Sequence, residues 1–170
     1  MNIGELEKNL KARNKKAAAE GHPFEDLFCA YQSEMIRQSI AYAENRAEKI
    51  YIYSDLKEGA LMARPAFRID GKFYTDNDWD RAIREGKESS SLTKEEKGDI
   101  SLTILCYSYA VRELCVQYKR AVPTVIKLIY DAKTRQVRAQ YGYERLKSLS
   151  EYDDNARCRM WFDEIRAKNL

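Results

Sequence analysis

Three aspartates stand at every second position of the stretch "TDNDWDRAIREGKE", and carboxylates at this spacing could bind a metal ion. Asp76, Asp78 and Asp80 match the start of a calcium loop of the helix–loop–helix type. A loop that begins at Asp76 needs glycine at its sixth position for a sharp turn and a bidentate glutamate at its twelfth. Arg81 and Lys87 occupy those two positions, and both cations oppose Ca²⁺. We therefore expect no metal site here.

Two other roles remain open for these aspartates. Asp76 or Asp78 can cap a short helix whose inner side carries Trp79 and Ile83. Alternatively, the three carboxylates form an acidic recognition surface with Trp79 as its anchor, because aromatic side chains inside polar rims are frequent binding hot spots. Both roles can hold at once.

Residues for conventional catalysis are sparse. His22 is the only histidine and precedes a proline, so no pair of histidines can bind a metal. The chain has no glycine-rich phosphate-binding motif and no G-x-S-x-G nucleophile motif. A carboxylate pair acting as acid and base stays open, because 27 acidic residues offer too many pairs to single one out. We expect a protein that is not an enzyme and needs no cofactor.

The four cysteines are scattered and form no C-x-x-C pair. All of them fall inside apolar helical patterns, where a thiol behaves as a small hydrophobe; they are Cys29, Cys106, Cys115 and Cys158. The pattern predicts buried free thiols rather than disulfides or zinc ligands.

Charge and hydropathy favour a soluble, cytoplasmic protein. Thirty Lys and Arg against 27 Asp and Glu give a net charge of +3, so no global field selects a nucleic acid or an anionic membrane. The beginning of the chain lacks the apolar stretch of a signal peptide, and no stretch approaches the roughly 18 apolar residues of a membrane span. Neither a membrane nor a nucleic acid is expected as a partner.

The hydrophobic periods predict four long helices and five short strands. Helical periods cover residues 3–19, 23–48, 93 or 99 to 120, and 153–168. A period of two marks strands at 49–55, 61–69 and 72–75, with a turn at Asp70-Gly71, and at 124–131 and 135–144. Pro65 cannot donate to a ladder, so its strand should be an edge or carry a bulge.

This order of elements predicts an α+β fold: an antiparallel sheet of about five strands, two hairpins plus a strand, packed against long helices. We expect one domain over residues 1–170, in which residues 1–22 form a helix that could be only loosely attached. On the last helix, Met160, Trp161 and Ile165 should point inward.

Tyrosine is the residue in excess, with 12 copies, several of them on predicted strands. Half-exposed sheet faces favour tyrosine for structural reasons. A protein-binding surface would also use it, because tyrosine supplies rigid area and a hydrogen-bonding hydroxyl. Stacking on single-stranded RNA is the third interpretation, with Arg64, Arg68, Arg135 and Arg138 nearby, although no RNP-like motif supports it.

The ordered pattern resembles the YezG-like immunity (antitoxin) family of bacterial polymorphic toxin systems. The matching pieces are a "K-V-Y-L-Y"-like strand, an aromatic hairpin, a long helix ending in "F/Y-K", a strand ending in "Y-x-Y" and a last helix with "R-x-x-W". Here they fall at 49–53, 67–74, 118–119, 141–143 and 157–161. After "Y-x-Y" the family usually has acidic residues, where this chain has Glu144 and Arg145, and the N-terminal helices are longer here.

The resemblance implies a cytosolic protein that binds and neutralises a cognate toxin domain by occlusion, and in this family the toxin is often a nuclease. A nuclease cleft should be basic, and acidic residues could fill it. Two acidic stretches are then candidate toxin-binding sites; they comprise Asp76, Asp78, Trp79 and Asp80, and Glu151, Tyr152, Asp153 and Asp154. The alternatives are a protein-interaction or regulatory module without a toxin partner, and a nucleic-acid-binding domain.

Overall fold

The alternation of isoleucine and tyrosine in "KIYIYSD" builds the central strand of a five-stranded antiparallel sheet. The computed structural model describes residues 2–57, 61–144 and 154–170. The strands are β1 Lys49–Asp55, β2 Met62–Ile69, β3 Lys72–Thr75, β4 Val125–Asp131 and β5 Gln136–Gly142. The helices are α1 Ile3–Ala19, α2 Phe24–Tyr42, α3 Asp76–Arg84, α4 Lys94–Gln117 and α5 Asp154–Lys168. The expected α+β fold is confirmed.

The sheet order is β3-β2-β1-β4-β5, so one hairpin flanks β1 on each side. Asp70 and Gly71 both have positive φ, 50° and 73°, which is the geometry of a type I′ turn that matches the twist of the two strands it joins. Each neighbour pairs with β1 along its whole length; Ile52, for example, lies opposite Pro65 on one side and Leu128 on the other.

Pro65 is tolerated because β3 is short. β3 pairs only with β2 from Ala66 to Ile69, so Pro65 has a strand neighbour on one side alone. The expectation that this strand is an edge or carries a bulge was wrong, because β2 lies between β3 and β1 with an unbroken register; only Pro65 and the residues before it lack a partner on the β3 side.

The two faces of the sheet bury two separate cores. Ile50 and Ile52 point towards α1, α2 and α4, where they join a large cluster that includes Tyr31, Met35 and Ile104. Tyr51 and Tyr53 point to the opposite face, where they pack with four residues of α5, namely Cys158, Trp161, Phe162 and Ile165. The result is a three-layer arrangement with α5 alone on the second face of the described structure.

Buried contacts attach α1 to this core. Leu10 and Ala17 are buried, and the Asn14 side chain donates a hydrogen bond to the Ala110 carbonyl at 3.1 Å. Asn14 also accepts one at 2.7 Å from the hydroxyl of Tyr31. The buried Asn14 amide therefore has a hydrogen-bond partner on both α2 and α4, and these two bonds hold α1 against the two helices.

Helix ends explain the largest boundary differences. Helix α2 stops at Tyr42 instead of residue 48, because Glu44 and Asn45 adopt left-handed φ of 51° and 61°, a conformation that ends a helix. Helix α4 starts at Lys94, since Thr93 and Glu96 form a reciprocal capping box. No helix in the described ranges is long and apolar enough to cross a bilayer.

Two expectations about burial were wrong. Met160 points outward and is 71% exposed, whereas its neighbour Trp161 is buried. Cys29 is exposed, while the other three cysteines are buried free thiols as expected. Burial raises the pKa of Cys106 and of Cys115 to about 11 and that of Cys158 to about 12, so these thiols stay protonated.

Candidate functional site

The first acidic stretch forms the end of β3 and the start of α3. Its helix cap is Thr75, so the expectation that Asp76 or Asp78 is the cap was wrong. The Asp78 backbone N–H donates to Thr75 Oγ1 at 3.1 Å, and the Asp78 carboxylate accepts from the Thr75 N–H at 3.3 Å. Asp78 therefore takes part in capping from the third helical position, as the glutamate of a capping box does.

Asp76 is held by an arginine from the neighbouring strand. Arg64 on β2 donates to it through Nε at 2.7 Å and through Nη2 at 2.6 Å. A two-point arginine–carboxylate pair is among the stronger and more geometrically specific of ion pairs. This pair fixes the start of α3 against β2, and it raises the pKa of Arg64 further through the hydrogen bond to Asp76.

Asp80 connects α3 to α2 and α4. Its carboxylate accepts from the Lys97 ammonium at 2.8 Å and from the Tyr42 hydroxyl at 3.0 Å. Lys97 is only 7% exposed, so Asp80 supplies the counter-charge for a nearly buried cation. Burial, followed by the negative charge of Asp80, raises the pKa of Tyr42 and keeps that hydroxyl a hydrogen-bond donor.

Trp79 is fully buried. Its ring packs edge-on against Tyr74 with centroids 5.3 Å apart, and the Arg46 guanidinium lies 4.9 Å from its ring centre. An anchor for a partner must be reachable from outside, so Trp79 in this position serves the core and does not act as an exposed hot spot.

A pocket of about 580 Å³ between α3 and α4 includes Asp76 and Asp80 in its wall. Their charges are balanced by Arg64 and Lys97, and Asp78 is paired with Arg81 at 2.7 Å and with Arg166 at 3.3 Å. The exposed cations Arg84 and Lys94 also line this pocket. The stretch thus joins secondary-structure elements and presents no uncompensated acidic patch.

The second acidic stretch falls largely outside the described residues. Glu151, Tyr152 and Asp153 lie outside them. Asp154 is the first residue of α5, and its side chain is not among those described. Within the described ranges, no three His, Cys, Asp or Glu side chains are grouped as a metal site requires.

The largest exposed apolar side chains near one sheet edge surround β5. Val137 is 49% exposed and Tyr143 is 56% exposed. Val137 lies opposite Tyr130 on the sheet face that carries α2, and Tyr143, one residue beyond the end of β5, continues the same alternation of faces. Tyr141 is more firmly held, because its hydroxyl donates to Gln32 at 3.0 Å and its ring packs against Phe28. Among the described strands β5 pairs with β4 alone, so within this part of the chain its other side is an open sheet edge.

Sequence reasoning reached this surface only in part. The tyrosine excess pointed to an interface as one alternative, and the shared face of Val137, Tyr141 and Tyr143 follows from a period of two. That β5 is an edge could not be read from its own residues, because strand order depends on distant segments. Met160 was assigned to the inward face together with Trp161 and Ile165, and of these three residues only Met160 is exposed.

Comparison of the chain with protein-family models and with curated proteins gives no match.

Proposed function

We propose that this chain is an immunity protein that binds a cognate toxin domain and neutralises it by occlusion. The observation that carries the proposal is the position of Tyr143. It belongs to the "Y-x-Y" piece of the pattern that resembles the YezG-like family, and it stands 56% exposed just beyond the end of an open edge strand.

Most other aromatic residues of that pattern have a structural reason. Tyr51, Tyr53, Phe67 and Trp161 are buried in the two cores, so the fold itself needs them. Core packing gives no comparable reason for Tyr143. A tyrosine exposed at a sheet edge is suited to contact a partner, since it offers rigid apolar area and a hydroxyl at low entropic cost.

The edge strand supports the same role. Every second residue of the seven in β5 presents its backbone N–H and C=O groups on the side away from β4, and such groups readily pair with a strand from another protein. Val137 and Tyr143 would then pack against side chains of that partner. Burial of apolar side chains would supply affinity, and the strand pairing would fix the register.

The surface proposed for the toxin is therefore the β5 edge with its flanking apolar side chains. The aspartates of α3 contribute indirectly by holding α3 in place. Asp80, whose side chain is 42% exposed, is the member of that stretch with the most surface still available to a partner.

The test is to express the chain with the toxin domain encoded beside its gene. We expect a stable complex on purification and protection of cells that express the toxin. Absence of both a complex and protection would overturn the proposal. A complex with a different neighbouring protein, without any toxic activity, would instead favour the interaction module without a toxin.

A further inference from the structure

An open groove runs between β5 and α5 on the second face of the sheet. Helix α5 packs over side chains of the other four strands, such as Tyr53, Ala66, Phe73 and Val125, and among the described residues no helix covers β5 on this face. The β5–α5 groove is lined by Lys49, Lys127, Arg138, Gln140, Trp161 and Glu164.

The groove is long enough for several residues of a peptide. It has two lobes of about 660 and 290 Å³, and both are lined by Lys127, Gln140 and Trp161, which makes them continuous. Met160, 71% exposed, lines the larger lobe and adds apolar surface at its rim.

Basic side chains outnumber acidic ones along the groove by one: Lys49, Lys127, Arg138 and Arg157 line it against Asp131, Glu144 and Glu164. Lys49, Lys127 and Arg138 form no ion pair with any residue in the part of the chain that the structure describes. Glu164 is bound by Lys168 at 2.5 Å. Asp131 accepts from the backbone N–H groups of residues 133 and 134 and lies opposite Lys49 in the strand register.

The strand register places these cations on one face. Lys127 lies opposite Gln140 and Ile129 lies opposite Arg138, so Lys127 and Arg138 are diagonal neighbours beside the open edge. The Lys127 ammonium lies 5.6 Å from the ring centre of Trp161, which keeps it over the floor of the groove. A strand added to β5 would direct every second side chain towards this face.

We propose that the open edge of β5 receives an extended acidic segment of the toxin domain, which pairs with β5 as a sixth strand along the rim of the β5–α5 groove. Carboxylates at alternate positions of that segment lie beside Arg138 and reach across β5 towards Lys127, and the side chains between them pack on Val137 and Tyr143. The inference rests on the proposed function and adds that the contact surface of the toxin is acidic at this point.

A second copy of the chain fits the groove less well. Two β5 strands joined antiparallel would bring Arg138 of each copy to the same face of the joined sheet, and like charges across neighbouring strands are destabilising.

The test compares two double substitutions with the same change of charge. Lys127→Gln with Arg138→Gln removes the groove cations, and Lys94→Gln with Arg84→Gln removes two exposed cations beside the α3–α4 pocket. Dissociation constants for the toxin domain are measured from low to high salt. We expect the groove variant to bind about tenfold or more weakly at low salt and to lose most of the salt dependence, because it loses charge attraction. The pocket variant should bind as the wild type does.

Equal affinity of the two variants, while the wild type still protects cells, would overturn the groove assignment and leave the proposed function standing. Absence of any complex with the wild type would overturn both.

Two further measurements on the full chain also bear on the groove. Dimers that dissociate on Val137→Asp would assign the edge to self-association. Salt-sensitive binding of a uridine oligonucleotide that the groove variant loses would assign it to nucleic acid.

Discussion

At the scale of single residues, the aspartates of α3 connect secondary-structure elements through hydrogen bonds and ion pairs. Asp76 binds a strand, Asp78 closes the start of its own helix, and Asp80 joins two other helices. The spacing of the acids and of Trp79 predicted a short helix here, which is correct. Their partners could not be predicted, because Arg64, Lys97 and Tyr42 are distant in sequence and meet the acids only in the folded chain.

Asp80→Asn is predicted to lower the free energy of unfolding by about 1–2 kcal/mol, because it leaves the nearly buried Lys97 without a counter-charge. The figure lies below that of a fully buried pair, since Asp80 itself is partly exposed. Urea unfolding followed by circular dichroism measures it.

Asp163→Asn is the matched control. Asp163 also forms an ion pair, with Arg166 at 3.1 Å, but its side chain is 68% exposed, so the change should stay within about 0.5 kcal/mol. If the two variants are equally stable, the pair between Asp80 and Lys97 does not contribute as described.

At the scale of elements, local patterns were sufficient where the period was unambiguous. The alternation in β1, the turn at Asp70-Gly71 and the capping box at Thr93 each depend on neighbouring residues only, and each appears as expected. Helix α5 was harder. Trp161 and Ile165 point inward as expected, but Met160 does not. The limit of the buried face depends on contacts with the sheet, such as that of Trp161 with Tyr53, whose ring lies 6.0 Å away.

Trp161→Ala is predicted to cost about 3 kcal/mol or more of unfolding free energy, because it leaves a cavity between α5 and the sheet. Met160→Ala, one position earlier on the same helix, should change it by less than about 0.5 kcal/mol, since Met160 is exposed. Thermal and urea unfolding of the two variants give the comparison. A larger loss for Met160→Ala would mean that α5 packs with its other face inward.

At the scale of the whole molecule, the distribution of charge matters more than its sum. The net charge of +3 suggested no preferred partner, yet the described structure pairs the acids of α3 internally and leaves three cations of one groove without ion pairs. Composition could not reveal this, because the effect arises from which strands become neighbours. The order β3-β2-β1-β4-β5 brings Lys49, Lys127 and Arg138 together from three separate strands or their ends.

The most direct test of the central claim is a titration of toxin activity with the purified chain and two variants. Val137→Asp places a charge at the β5 edge, and Val116→Asp makes the same change at an equally exposed site on α4, 53% against 49% exposed. We predict that wild type and Val116→Asp abolish toxin activity at about one equivalent, while Val137→Asp requires about tenfold more protein. Toxin activity that persists in an excess of wild type, or equal inhibition by the two variants, would contradict it.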